Sequence, residues 1–173
     1  TWDFFNPGVP RPKLIDHIED RDLWRFKIAG TREVQANLFS YPYDFEVWDK
    51  LIRNFEHFEY ADTFLEQGEA IERKHHKDID ELVRIVTRPM RIGGIVVPVA
   101  NLPYTLVSDA GHLLCERSLQ GTPSAYPDDP YKHPFAACYY DGQDGRNFSL
   151  RSRDDGADVG AVAKLYGGGG HRN

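Results

Sequence analysis

Cysteine is scarce in this chain: Cys115 and Cys138 are the 2 cysteines, both in apolar surroundings. Isolated thiols form no disulfide framework and no paired CxxC elements for a zinc ribbon, and they fit a reducing compartment better than secretion. Long apolar runs are missing as well. None approaches the ~20 residues that a membrane-spanning helix needs, and the longest, around Ile92 to Leu102, is broken by glycines and a proline. No leader-like pattern opens the sequence, so a cytoplasmic protein without membrane contact is expected. Positive charge is short too, with 21 Lys and Arg against 27 Asp and Glu, a net charge of −6. That argues against broad binding to duplex nucleic acid, where a basic face supplies most of the affinity. Short anionic ligands remain open, because a few arginines suffice for one or two phosphates.

The 173 residues, 40% of them hydrophobic, are enough for one core and a small satellite. Thr1 to Pro12 is rich in aromatics and proline and reads as an extended connector whose rings want a partner surface. Leu14, Ile15 and Ile18 suggest a short helix. Thr31 to Ser40 has the look of a capping box, and Asp44 opens a helix carrying Phe45, Trp48, Leu51 and Ile52. Ala61 to Val86 is the longest helical pattern, weakened or bent at Gly68. The period then changes to that of strands at Arg88–Gly93, Ile95–Ala100, Phe135–Tyr140 and Arg146–Ser152, with Gly93-Gly94 as a hairpin turn. Thr105–Arg117 and Ala157–Tyr166 read as helices, and Gly121–Pro134 as a proline-punctuated loop. The expected fold is α/β (α+β): N-terminal helices and a long connecting helix, then a small domain with a mixed sheet of four or five strands flanked by helices.

The chain closes on Gly167-Gly168-Gly169-Gly170-His171-Arg172-Asn173. Glycines let the main chain approach an anion with its N–H groups turned inward, and the imidazole beside them can donate to the same oxygens or carry a proton. A flexible linker has the same composition. Here, however, the glycines follow a helix whose Val159, Val162, Ala163 and Tyr166 share one face. The strand ending in Leu150-Arg151-Ser152 just before that helix would bring a second polar cluster to the same neighbourhood.

These strings, SLRS followed by DVGAVAKLYGGGGHRN, resemble the C-terminal DHH-associated type 1 domain of the DHH phosphoesterase superfamily. Trp2-Asp3-Phe4-Phe5 through Ile18-Glu19-Asp20-Arg21-Asp22-Leu23-Trp24 is similar to the junction of its exopolyphosphatase-like, nano-RNase-like branch. The resemblance implies three segments: residues 1–60 as remnant and junction of a catalytic domain, 61–86 as a connecting helix, and 87–173 as the substrate-binding domain. It implies hydrolysis of phosphodiester or phosphoanhydride bonds in short oligonucleotides, small nucleotides or polyphosphate. Two Mn²⁺ or Mg²⁺ ions, held mainly by the other domain, would serve as cofactors. Arg151, Ser152, Gly168, Gly169 and Gly170 would bind substrate phosphates, His171 would act in catalysis, and Asp20 would be a metal ligand. The family's Asp-His-His motif is missing: Asp16-His17-Ile18 fails at its third position, and Lys74 precedes His75-His76. The chain is therefore expected to be a fragment that is inactive by itself and lacks most of the catalytic domain and a short C-terminal piece. A homodimer is compatible with the sequence.

Each candidate has a plainer reading. Arg151 can be a surface arginine at a strand end, His171 a terminal tail residue, and Asp20 with Asp22 a surface pair over Trp24. His75 and His76 lie about 100° apart on a helix and suit a solvated face better than one shared metal. Tyr126, Tyr131, His133, Tyr139 and Tyr140 can stack on a base or fill the core. The alternative function is a non-catalytic nucleic-acid-binding module like the one appended to alanyl-tRNA synthetases. The acidic balance and the Ile18–Trp24 junction disfavour it.

Overall fold

A computed structural model describes residues 2–116 and 133–172. The chain divides into two compact units, Thr1–His76 and Lys77–Asn173. The division falls inside the longest helix. No helix among the described residues is long and apolar enough to cross a membrane.

The first unit is helical: α1 (Trp2–Phe5), α2 (Lys13–Asp22), α3 (Thr31–Leu38), α4 (Phe45–Phe55) and the first turns of α5 (Phe58–Val86). Its core is Leu14, Val34, Leu38, Leu51, Phe55 and Phe64, each burial stabilising by about 1.5–3 kcal/mol relative to exposure. Asp44 caps α4 as expected, its carboxylate accepting from the Glu46 and Val47 amides. The N-terminal segment differs from the extended connector read in the sequence, since Trp2–Phe5 makes a helical turn; Phe4 and Phe5 are nevertheless exposed. The capping box at Thr31 does not form. Gly30, in the left-handed region at φ 83°, occupies the N-cap with no side-chain cap, because the Thr31 hydroxyl is drawn to a buried carboxylate instead. Gly68 neither breaks nor bends α5 out of its helical state. Its Cα passes so close to α3 that a Cβ would lie 1.9 Å from the Glu33 carbonyl oxygen, so the glycine serves the helix crossing.

The second unit is an α/β layer. Strands β1 (Arg88–Ile92), β2 (Ile95–Asn101), β3 (Ala136–Gly142) and β4 (Gly145–Arg151) form a 4-stranded sheet in the order β1-β2-β3-β4. The β1–β2 and β3–β4 pairs are antiparallel and β2–β3 is parallel, so the sheet is mixed. The parallel step requires a crossover, which carries α6 (Val107–Glu116). One face of the sheet, with Ala100, Ala136 and Cys138, packs on Ala110, Leu114 and Cys115 of α6 and on Ile79 and Val83 of α5. The other, with Val97, Val99, Ala137 and Tyr139, meets Val159 and Val162 of α7 (Val159–Lys164). Period-two alternation therefore buries both faces of the two central strands. Most of the loop read at Gly121–Pro134, including Tyr126 and Tyr131, lies outside the described residues.

Candidate functional site

Arg151 ends β4 opposite Ala136, with Ser149 opposite Cys138 on the same face. That register turns the Arg151 side chain toward α6. An ideal Cβ built on Gly111 would lie 2.7 Å from Arg151 Cγ and 3.3 Å from its Cβ, so the aliphatic stem runs over the bare Cα of a helix-interior glycine. One turn toward the C-terminus, the Cys115 thiol donates to the Arg151 carbonyl at 3.0 Å. One turn toward the N-terminus, Ser108 Oγ is 3.5 Å from Nη2. Nη1 donates to Ser149 Oγ at 3.0 Å and to the Leu150 carbonyl at 2.8 Å. Ser108, Gly111 and Cys115, spaced three and four apart, form one stripe of α6 that holds Arg151 from its carbonyl to its guanidinium.

The guanidinium thus arrives in the first turn of α6, where the positive end of the helix dipole already favours an anion. Asp109 is the acidic residue of that turn. At the other end of α6, Arg153 Nη1 donates to the Cys115 carbonyl at 2.6 Å, a cation placed where the dipole favours it. Burial pushes the Cys115 thiol up to about 11 and the Cys138 thiol up to about 12. Both are buried in the core, so neither is placed to meet a ligand as a nucleophile.

The glycine tail is folded back on α7. Gly167 takes the left-handed conformation at φ 79°. Its amide donates to the Lys164 carbonyl, and the Gly168 amide donates to the Ala163 carbonyl at 3.0 Å. This is a Schellman cap. The main chain then doubles back until the Arg172 carbonyl accepts from the Val159 amide at 2.8 Å and from Ser152 Oγ at 3.4 Å. Gly160 makes room for this return, since a Cβ there would stand 2.8 Å from both the Gly170 and the His171 carbonyl oxygens.

The residues expected to share a phosphate site are therefore distributed. Ser152 is 2% exposed, and its hydroxyl ties the tail to the strand end rather than facing solvent. The Gly168 amide is committed to the helix cap. Gly169, Gly170 and His171 are exposed. The Arg151 guanidinium runs along α6, on the sheet face opposite the one that α7 covers. The fold joins the two motifs through the Ser152 hydroxyl and the Arg172 carbonyl and turns the guanidinium away from the tail. Alternation along β4 is the cause, because neighbouring residues must point to opposite faces.

Asp20 also stands apart from its expected role. It is 4% exposed; Oδ1 accepts from the Lys27 amide at 2.9 Å, and Oδ2 accepts from the Ile28 amide at 3.0 Å and from Thr31 Oγ1 at 2.8 Å. The Thr31 hydroxyl has one proton, which goes to the carboxylate. His17 Nδ1, 3.0 Å from the same oxygen, is therefore the donor in their contact. Burial raises the Asp20 carboxyl, but these donors outweigh it and hold it below the usual carboxylate range. Burial pushes His17 down. The network holds a strained loop, in which Trp24 at φ 53° and Phe26 at φ 47° are non-glycine residues in the left-handed region. No group of three or more His, Cys, Asp or Glu able to hold a metal ion is present among the described residues.

Of the remaining candidates, His76 pairs with Glu72 at 2.7 Å on an exposed helix face. Tyr139 is core, and its hydroxyl accepts from Arg88 at 2.7 Å. Sequence reading missed Ser108, Gly111 and Cys115; a glycine in the middle of a ten-residue helix, costing about 1 kcal/mol against alanine, was the available signal.

No family model matches the chain, and no solved structure matches it. It is similar to the uncharacterized protein R106 of Acanthamoeba polyphaga mimivirus, with 30% identity over 181 residues, an alignment that takes in all of this chain and 38% of that protein.

Proposed function

We propose that this chain is the substrate-holding part of a DHH-type phosphoesterase, a longer protein that cleaves phosphodiester or phosphoanhydride bonds. The observation that carries the reading is the bond set of the Arg172 carbonyl, with Val159 at 2.8 Å and Ser152 at 3.4 Å. Through it the GGGGH tail and the SLRS strand end, distant in sequence, meet at one place in the fold. A bare linker has no reason to return to the first residue of α7 and the residue that follows β4.

In this reading Arg151 supplies the charge that holds an anion. Ser149 and Ser108 fix the fork of its guanidinium, and the first turn of α6 adds a dipole of the same sign. The exposed Gly169, Gly170 and His171 of the tail lie on the other side of the sheet from this guanidinium and offer a second, separate set of donors, from which the imidazole is able to pass a proton. Ser152 and Gly168 serve the geometry of the site rather than the ligand. The described residues do not fit the metal ions that such enzymes use: Asp20 spends both oxygens on three donors, and no second carboxylate or imidazole cluster joins it. Bond cleavage is assigned to the remainder of the longer protein, and this chain's part is to bind and orient.

The test compares the longer protein with its Arg151→Ala and His171→Ala forms in a Mn²⁺ assay scored for release of mononucleotide or phosphate from oligonucleotides and polyphosphate. Loss of turnover in both variants is expected, with no turnover by this chain alone. Unchanged kinetics in both would remove these residues from the site. Binding without hydrolysis by the longer protein would favour the appended nucleic-acid-binding module.

A further inference from the structure

The α6 side of the sheet, the face that carries Arg151, also carries an aromatic pair. Tyr140 stands on β3 opposite Asn147, and the next residues of β4 on that face are Ser149 and Arg151. Same-face neighbours on a strand are about 7 Å apart, so the level of Tyr140 is one step from Ser149, whose hydroxyl accepts from the Arg151 guanidinium. Tyr104, in the loop that leads into α6, is 69% exposed. Its ring centre lies 6.1 Å from that of the half-buried Tyr140, with the planes at 56°. A ring needed for the core would be covered, as Tyr139 is at 4% exposure. Tyr104 instead is largely exposed, with the tilted Tyr140 ring packed against it, four residues before the Ser108 that meets the Arg151 guanidinium.

From this juxtaposition we infer that the ligand held by Arg151 is a nucleotide, its base stacked on Tyr104 against Tyr140 and its phosphate on the guanidinium with Ser149 and Ser108. The inference rests on the phosphate-binding reading above and names its substrate class. Stacking supplies the base affinity and is tolerant of base identity; the fixed fork supplies the anion contact. Linear polyphosphate would satisfy the second and leave the tyrosines unused.

Calorimetric titration of the 173-residue chain with adenosine 5′-monophosphate, ribose 5-phosphate and inorganic tripolyphosphate separates the terms. Adenosine 5′-monophosphate is expected to bind about tenfold more tightly than ribose 5-phosphate. Tyr104→Ala removes that advantage and leaves tripolyphosphate binding unchanged, and Tyr104→Trp retains it. Equal binding of the two monophosphates by the parent chain overturns the inference, as does a Tyr104→Ala loss that extends equally to tripolyphosphate. If tripolyphosphate binds and Arg151→Ala abolishes it while no base preference exists, the anion reading stands and the nucleotide assignment falls. If none of the three probes binds, both fall together.

Discussion

Arg151 Cγ lies 2.7 Å from the point where a Cβ on residue 111 would stand. The contact sits near the root of the side chain, so Gly111→Ala cannot be absorbed by swinging the guanidinium aside. Overpacking of this kind costs about 1–3 kcal/mol, against which alanine returns about 1 kcal/mol of helix propensity. The expected outcome is a slightly less stable fold with a displaced Arg151. Tripolyphosphate affinity should fall toward that of Arg151→Ala, while circular dichroism remains that of the parent. Unaltered affinity would mean that the α6 stripe does not position the arginine.

Gly160→Ala tests the return of the tail. Its Cβ would meet two carbonyl oxygens at 2.8 Å, and neither can yield without moving the main chain of Gly170 and His171. The Val159 amide then loses its acceptor at Arg172. Faster hydrogen exchange at that amide is expected, with core amides of β2 and β3 unaffected. Retained protection would show that the tail does not depend on this packing.

Asp20→Asn separates a structural carboxylate from a metal ligand. An amide NH₂ would face one of the three donors that now converge on the carboxylate, and hydrogen bonds to a charged acceptor are the costly ones to lose. The thermal midpoint of the variant should drop by several degrees. Titration with Mn²⁺ should give the same result, no saturable binding, for the parent and the variant. Saturable Mn²⁺ binding lost on substitution would restore Asp20 to a metal site.

The same network sets a pH dependence. Burial lowers His17, so the unfolded chain takes up its proton first. Stability therefore declines as pH falls below about 6.5, until the folded imidazole also titrates. Asp20 is held low by its three donors despite burial; its contribution is complete above about 4 and is lost as pH falls further through its folded value. Denaturant unfolding should show a first decline beginning near neutrality, smaller in His17→Gln, and a second in acid, smaller in Asp20→Asn; His133, also lowered by burial, and Glu19 and Asp141, lowered by their arginine partners, supply what remains.

Much of the fold was legible because local chemistry and tertiary structure agree along most of the chain. Asp44 caps α4, the change of period at Thr87 marks the passage from helix to strand, and Gly93-Gly94 joins β1 to β2 as read. Three features were hidden because a distant group decided them. Thr31 resembles a cap, yet a carboxylate 11 residues earlier claims its hydroxyl. Gly68 resembles a helix weakness, yet it is the place where α3 comes within contact of α5. Gly111 carries no motif at all, and its meaning depends on Arg151, which reaches it only after β4 has paired with β3.

The sequence by itself determined the elements from α2 onward, their order, the mixed α/β character and the two motifs at the C-terminal end, because periodicity and capping act over a few residues. Tertiary structure decided where each polar group is spent. The pleat of β4 sends Arg151 to α6 and Ser152 to the tail, the Schellman cap consumes Gly168, and convergence of three donors removes Asp20 from solvent. Spacing cannot reveal these outcomes, since a side chain's partner is fixed by which face it lands on once the sheet is formed.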